Sequence, residues 1–245
     1  MTLSVFDNLA MQPSASRALD NYRAMAKDYD ATCNRIEALR LATVQALQLQ
    51  PGETVFDIAC GTGPALTLLA KLVGPSGNVV GVELSPDMAA QARLRLDARP
   101  DCGHVVVAQT ALADFEFDQK ADAVLMCYAH DVLQSAASID RLMAVAKPRA
   151  RIALVGMQTL PWLWGWPVNV FNLYRARRYM TTYTNLQRPW RLLEERGATL
   201  REVHTALCGS AYIATGTLPP APVLRPAKGS LLSSSPPSTT LHHPT

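Results

Sequence analysis

Two carboxylates and two glycines carry the first chemical signal in the chain. Asp57 lies near the end of an apolar run, VFDIA, and Gly61 and Gly63 follow in ACGTG. Small residues in such a turn let the backbone approach a ligand closely, and glycine also admits positive φ. Glu83 stands 20 residues beyond Gly63, at the end of a second apolar run, VVGVE. An acid there can accept hydrogen bonds from two ribose hydroxyls and repels a 2′-phosphate. A dinucleotide fingerprint requires a third glycine where this chain has Leu66. It would also bring a pyrophosphate near Asp57, at a Coulombic cost. No Gly-Lys-Ser/Thr follows, so a P-loop is excluded. The pattern suits a nucleoside carrying positive charge. Plainer roles stand beside this one: Asp57 as a cap of the turn, Glu83 as a surface acid near a helix start.

A second group follows the apolar run ADAVLMCY, in CYAHDVLQ. His130, as a neutral imidazole, can take a proton from a hydroxyl or an enol; it can equally be a polar residue lining a loop. Tyr128 and Asp131 flank it, and Tyr128 either orients an acceptor or packs in the core. No metal site is expected, since Asp131 is isolated and Asp122 precedes the same run at its far end. A third group, LPWLWGWPVNVFNLYRARRY, holds Trp162, Trp164, Trp166, Phe171 and Tyr174, then Arg175, Arg177 and Arg178. The aromatics can enclose an aromatic or lipophilic acceptor, pack on the domain, or touch a membrane surface together with the arginines. The uncharged stretch from Ile152 to Tyr174 contains Pro161 and Pro167. Prolines break helices, so it reads as a buried strand followed by an aromatic loop rather than a membrane span.

These groups need elements to hold them. RIEALRLATVQALQL reads as the end of a helix running from about Asp20 to Leu49, stopped by PGE. Strands and helices then alternate: TVFDIA, PALTLLAKLV, VVGVEL, SPDMAAQARLRLDA, HVVVAQ, ADAVLMCY, SIDRLMAVA, RIALVGM. Ser85 and Pro86 supply cap chemistry to the second of these helices. PWRLLEERGA reads as a helix ended by Gly197, and LREVHTAL and SAYIATG as two closing strands. The fold class expected is α/β: a Rossmann-like doubly wound sheet, mostly parallel with an antiparallel closing strand, helices on both faces. Residues 1–20 form an N-terminal segment, 21–217 the domain with an aromatic lid insertion at about 158–186, and 218–245 a disordered Pro/Ser-rich tail.

Composition narrows the class. The 245 residues make one domain with 49% apolar residues, enough for a sizeable core. A net charge of +3 is too small for an electrostatic nucleic-acid binder. Five scattered cysteines without a CxxC pair argue against disulfides and structural zinc, and fit a reducing, cytoplasmic setting. The N-terminal residues lack the charged-then-apolar pattern of a secretory signal.

VFDIACGTG resembles motif I of the class I S-adenosylmethionine-dependent methyltransferases, and VVGVELSPDMAAQAR resembles their next strand and helix. YRAMAKDYD is similar to the entering helix of the small-molecule and quinone-methylating branches, and AVAKPRARIALVG to the region of the fifth strand. The resemblance implies S-adenosyl-L-methionine as cofactor and a small-molecule acceptor, a natural-product intermediate or quinone-like ring methylated at O, N or C; the alternatives are a lipid-directed methyltransferase at a membrane surface and a non-catalytic S-adenosylmethionine-binding protein. It implies that Asp57 helps hold the ammonium end and that the backbone from Ala59 through Cys60, Gly61, Thr62 and Gly63 runs along the methionine and ribose. Glu83 would hold the ribose hydroxyls, Leu84 and Met88 flank the adenine, and Thr110 and Ala111 lie at its edge. Cys127 would sit near the methionine, and Tyr29 close the pocket. His130 is the catalytic candidate; Tyr22, Tyr128, Asp131, Trp162, Trp164 and Trp166 are the acceptor-binding candidates. Three positions depart from the pattern: Ala59 where glycine is common, KPRAR in place of a proline–glycine–glycine turn, and Thr110 where an acid is common.

Overall fold

The structure is a computed structural model that describes residues 12–25, 36–99, 102 and 104–220. In chain order the elements are α1 (Ala15–Met25), α2 (Glu37–Ala46), β1 (Thr54–Ile58), α3 (Leu66–Val73), β2 (Asn78–Glu83), α4 (Pro86–Asp97), β3 (Val105–Gln109) and β4 (Ala121–Cys127). There follow α5 (His130–Leu133), α6 (Ala136–Val145), β5 (Ala146–Met157), α7 (Trp162–Ala176), α8 (Arg191–Glu195), β6 (Thr199–Ala206) and β7 (Ala211–Thr217).

The seven strands form one sheet in the order β3-β2-β1-β4-β5-β7-β6. Strands β1 to β5 pair in parallel, and β7 runs antiparallel to both neighbours, β5 and β6. The chain winds outward from β1 to β3 and then crosses to β4 on the other side of β1. That reversal opens a crevice at the carboxyl ends of β1 and β4, where ligands of such sheets bind.

Side chains alternate across the sheet as a period of two demands. Phe56 and Ile58 of β1 and Val124 and Met126 of β4 enter one core with Phe115, Ile139, Leu142 and Trp190. Val55, Ala123 and Leu125 enter the opposite core, built with Val44 and Leu47 of α2, Leu66 and Leu69 of α3, and Ala89 and Ala92 of α4. Asp57 shares the face of Val55, so its carboxyl group lies within the α2 side of the sheet, fully buried.

Several elements differ from the sequence expectation. The single helix over 20–49 is two, α1 and α2, and the residues joining them, 26–35, lie outside the described set. The first helix starts at Ala15, inside the segment expected to precede the domain. β5 begins at Ala146 directly after α6, so KPRAR is strand, with Arg149 alone taking a positive φ of 60°. The expected aromatic loop is a 15-residue helix, α7, with Pro167 inside it. A proline removes one helical hydrogen bond, yet here the remaining turns continue past it. Residues 221–245 of the expected tail lie outside the described residues. The cap reading is met: the Ser85 side chain accepts a hydrogen bond from the Met88 N–H, with Pro86 at the first helical position.

The turn after β1 depends on backbone freedom. Gly63 has φ +73°, and a Cβ there would meet Leu66 Cδ1 at 2.9 Å and Ala92 Cβ at 3.0 Å. Ala59 holds the left-handed conformation as well, at φ 57°, without being glycine. That conformation costs an L-residue about 1–2 kcal/mol. Gly63→Ala is expected to lower the free energy of unfolding by about 2–3 kcal/mol, from strain and overpacking together. Ala59→Gly is expected to be neutral or stabilising by up to about 1 kcal/mol, relief of strain exceeding the entropy gained by the unfolded chain. Urea unfolding of the two variants checks both; destabilisation by Ala59→Gly would remove the strain argument.

Candidate functional site

A cavity of about 290 Å³ opens at the carboxyl ends of β1, β2, β3 and β4. Ala59 and Gly61 line it from the turn after β1, Glu83, Leu84 and Ser85 from the end of β2, and Thr110 and Ala111 from the end of β3. Cys127, Tyr128, His130 and Asp131 line it from the end of β4, and Met88 from α4. The cover comes from two distant segments: Pro13 to Ala15, Ala18 and Leu19 at α1, and Tyr179 and Met180 after α7.

Glu83 is the structural centre of the nucleoside end. Its Oε2 accepts a hydrogen bond from the Gly61 N–H at 2.9 Å, and its Oε1 accepts one from the Ser85 N–H at 2.7 Å. One carboxylate thus fastens the glycine turn to the start of α4. Each oxygen keeps a second lone pair for a ligand hydroxyl. Burial raises the pKa of Glu83, and the backbone hydrogen bonds from Ser85, Gly61 and Leu84 act against that rise. Thr110 is held by its own backbone, its N–H donating to the Glu83 carbonyl at 3.0 Å.

Asp57, Cys60, Thr62 and Gly63 do not reach the cavity wall; they lie behind it. Cys60 and Thr62 are buried, and a Cβ on Gly81 would meet Cys60 Sγ at 2.8 Å, so Cys60 packs against β2. Burial pushes up the thiol pKa of the lining Cys127, and the negative charge of Asp57 behind the wall adds to that rise. Burial pushes the Asp57 pKa up to about 7; the positive charge of Arg40 lowers it, and the negative charge of Glu83 raises it further. Arg40 is buried on α2 and pairs with Glu37.

At the other end of the cavity, β4 ends in Tyr128 at φ 55°, a second non-glycine left-handed residue beside the site. His130 opens α5 and is buried, and neither ring nitrogen meets a hydrogen-bond partner among the described residues. Burial lowers its pKa to about 4, although the backbone of Thr184 lies close enough to favour the protonated form slightly.

Asp131 lines the cavity and also holds its cover. Its Oδ2 accepts from the Thr181 N–H at 2.9 Å and from Thr181 Oγ1 at 2.7 Å, and its Oδ1 accepts from the Thr182 N–H at 3.3 Å. Thr181 Oγ1 in turn accepts from the Ser14 N–H at 2.9 Å. Gln134 extends the clasp, donating to the Pro189 carbonyl and accepting from Asn185. This relay ties both covering segments to the end of β4.

The tryptophans are not part of this chamber. Trp164 and Trp166 are exposed on α7, and Trp162 lines a separate, open hollow with Tyr183, Leu186 and Arg188. Tyr22 belongs to α1, and Tyr29 lies outside the described residues. Sequence reasoning missed Arg40, Thr181, Tyr179, Met180 and the 13–19 segment. Arg40 alone left a local signal: it occupies the same helix face as Val44 and Leu47, where an apolar residue belongs.

Among the described residues no Lys or Arg lines the cavity, while Glu83 and Asp131 do and Asp57 lies behind. A nucleoside with cationic groups and ribose hydroxyls fits this donor and acceptor set.

Residues 55–149 match the family described as a methyltransferase domain. The chain is 33% identical over 147 residues to a demethylmenaquinone methyltransferase of Beutenbergia cavernae, covering 56% of this chain and 57% of that protein. It is 32% identical over 108 residues to a 2-phytyl-1,4-naphthoquinone methyltransferase of Trichormus variabilis, covering 43% of this chain and 47% of that protein. The chain thus spans about half the length of these curated relatives. Among solved structures, a phosphoethanolamine N-methyltransferase of Haemonchus contortus superposes with a TM-score of 0.63 at 15% identity, over 84% of this chain and 60% of that one. A methyltransferase from Aquifex aeolicus gives 0.54 at 20% identity, over 73% and 89%. Motif, fold and kinship agree in likening residues 55–149 of the chain to the methyltransferase-domain family.

Proposed function

We propose that the whole chain transfers a methyl group from S-adenosylmethionine to a small-molecule acceptor with a quinone-like ring. The observation that carries the reading is one continuous cavity that joins Gly61 and Glu83 to Tyr128 and His130, with no lysine or arginine among the described residues of its wall. The names of the relatives, two of them naphthoquinone or menaquinone methyltransferases, support the acceptor class. Free thiols at Cys60, Cys127 and Cys208 accord with a reducing compartment, and we place the chain in the cytoplasm.

In this reading Glu83 takes the ribose hydroxyls, Leu84 and Met88 bracket the adenine, and Thr110 and Ala111 meet its edge. Asp57, in its charged form, attracts the ammonium end from behind the turn. The cofactor supplies an activated methyl group on a sulfonium centre. The protein then has to align the acceptor with it and exclude water. His130 and Tyr128 hold the acceptor. A histidine with its pKa near 4 binds a proton poorly at neutral pH. His130 therefore serves as an orienting hydrogen-bond partner rather than a proton store.

Calorimetry with S-adenosylmethionine tests the cofactor site directly. Glu83→Ala should weaken binding at least about tenfold, through lost hydroxyl contacts and a loosened turn. A carboxyl group with a pKa near 7 must lose its proton to attract a cation, so affinity should fall as pH drops below about 7, approaching tenfold per unit. Asp57→Asn should bind more weakly and show no such dependence; a wild-type pH profile in that variant would overturn the role.

The folded state also holds the Asp57 proton that the unfolded state releases near 3.8. The ligand-free chain should accordingly lose stability as pH rises from about 4 to 7, and Asp57→Asn should remove that loss. For His130, replacement by Phe should lower kcat/KM about 10- to 100-fold, the worth of a hydrogen bond to a polarised group. His130→Gln should recover part of the activity. A rate inflection between pH 6 and 8 that disappears in His130→Gln would instead make His130 a base.

A further inference from the structure

Helix α7 is built inside out. The side it turns to the protein carries Gly165, Asn169 and Ala176, at the four- and seven-residue steps of one face. Asn169 is locked there, its Oδ1 accepting from the Leu160 N–H and its Nδ2 donating to the Leu160 carbonyl. Gly165 cannot be enlarged, because a Cβ would meet Leu160 Cβ at 2.3 Å. The opposite half of the helix carries Leu163, Trp164, Trp166, Val170, Phe171 and Tyr174, all exposed, with Leu163 94% so. No described residue covers them. A soluble surface helix has the reverse arrangement, apolar inward and charged outward.

The charges around it are as one-sided as the helix. No acidic residue occurs between Asp140 and Glu194, an interval that includes nine Lys and Arg residues in a chain of net charge +3. Five of the nine (Arg141, Lys147, Arg151, Arg188 and Arg191) are neutralised by ion pairs with acids outside that interval. Arg175, Arg177 and Arg178, at the end of α7, have no ion pair among the described residues. Arg175 lies 5.8 Å from the ring centre of Phe171, and Arg177 lies 4.0 Å from that of Tyr174. Guanidinium groups over aromatic rings at the edge of an apolar face match the boundary between acyl chains and anionic headgroups. No described helix is long and apolar enough to cross a membrane, so α7 would lie in the plane of the surface.

We infer that α7 docks the protein on an anionic lipid surface, its Trp/Leu/Phe face in the acyl boundary and Arg175, Arg177 and Arg178 on the headgroups. The helix runs directly into Tyr179 and Met180, which cover the chamber, so docking places the chamber's cover at the lipid surface. The inference concerns a surface and holds whatever ring the chamber accepts. It is tested without turnover, by floating the full chain with vesicles of phosphatidylcholine alone or of phosphatidylcholine and phosphatidylglycerol in equal parts.

The chain should float with the anionic vesicles, with a blue shift of tryptophan emission, and several-fold less with the neutral ones. Leu163→Ser with Phe171→Ser should reduce flotation about tenfold or more, as should Arg175→Ser with Arg178→Ser. All four side chains are exposed, so melting temperature and S-adenosylmethionine affinity should not change, which separates this result from a failure of the cofactor site. Absence of flotation would overturn the inference, as would wild-type flotation of both double variants. So would a dimer, lost in Leu163→Ser with Phe171→Ser, that forms without any vesicle binding; it would assign the face to a second copy of the chain.

Discussion

The site rests on one carboxylate doing two jobs. Glu83 accepts a backbone hydrogen bond on each oxygen, one from the turn after β1 and one from the start of α4. Backbone N–H groups buried without partners are costly, so a turn that opens its amides toward a ligand needs some of them satisfied from within. Glu83 does this from the end of the neighbouring strand, and only the parallel pairing of β1 with β2 brings the two ends level. The strain at Ala59, the packing of Gly63 on Ala92 and the position of Ser85 as a helix cap all presuppose this register. The residue that would hold the ribose is thus also the residue that shapes the wall it lines.

Charge is distributed to the same end. Asp57 is placed on the α2 side of β1 by strand alternation, where burial disfavours its ionised form and Arg40 opposes that effect. The ligand-free site therefore holds a carboxyl group poised near neutrality. A cationic ligand would lower its pKa and gain its charge, whereas a phosphate would meet the carboxylates of Glu83 and Asp57.

The legible parts of the sequence were those where chemistry and local period coincide. The glycine turn, Glu83, the cap at Ser85 and the alternating strands are each short-range patterns, and each element appears with its expected partner. The cover was not legible, because it is assembled by contacts between distant segments: Asp131 meets Thr181 fifty residues away, and Thr181 meets Ser14 across 167. No local spacing announces such a clasp, and Asp131 reads in isolation as a ligand-facing acid. KPRAR keeps an irregular course inside β5: Lys147 to Ala150 bulge between the pairs Ala121–Ala146 and Ala123–Arg151, and pairing with β4 and β7 resumes at Arg151. The tryptophan segment misled for a different reason. Two prolines and a run of large apolar residues hide a helix whose period is written in its small residues, Gly165, Asn169 and Ala176, rather than in its large ones.

That inversion has a structural cost which the rest of the chain does not require. Exposed aromatic surface weakens solubility and invites association, and soluble proteins keep such patches small. A helix meant only to cover the sheet would turn its large side chains inward, with no need for the tight Gly165–Leu160 contact or the paired hydrogen bonds that hold Asn169. Those contacts fix the orientation of α7 against its hydrophobic preference. The clasp at Asp131 then fixes the residues that follow the helix, Thr181 and Thr182, to the end of β4. Orientation and anchorage together give the apolar face a defined position relative to the cavity, as a docking surface needs and a packing helix does not.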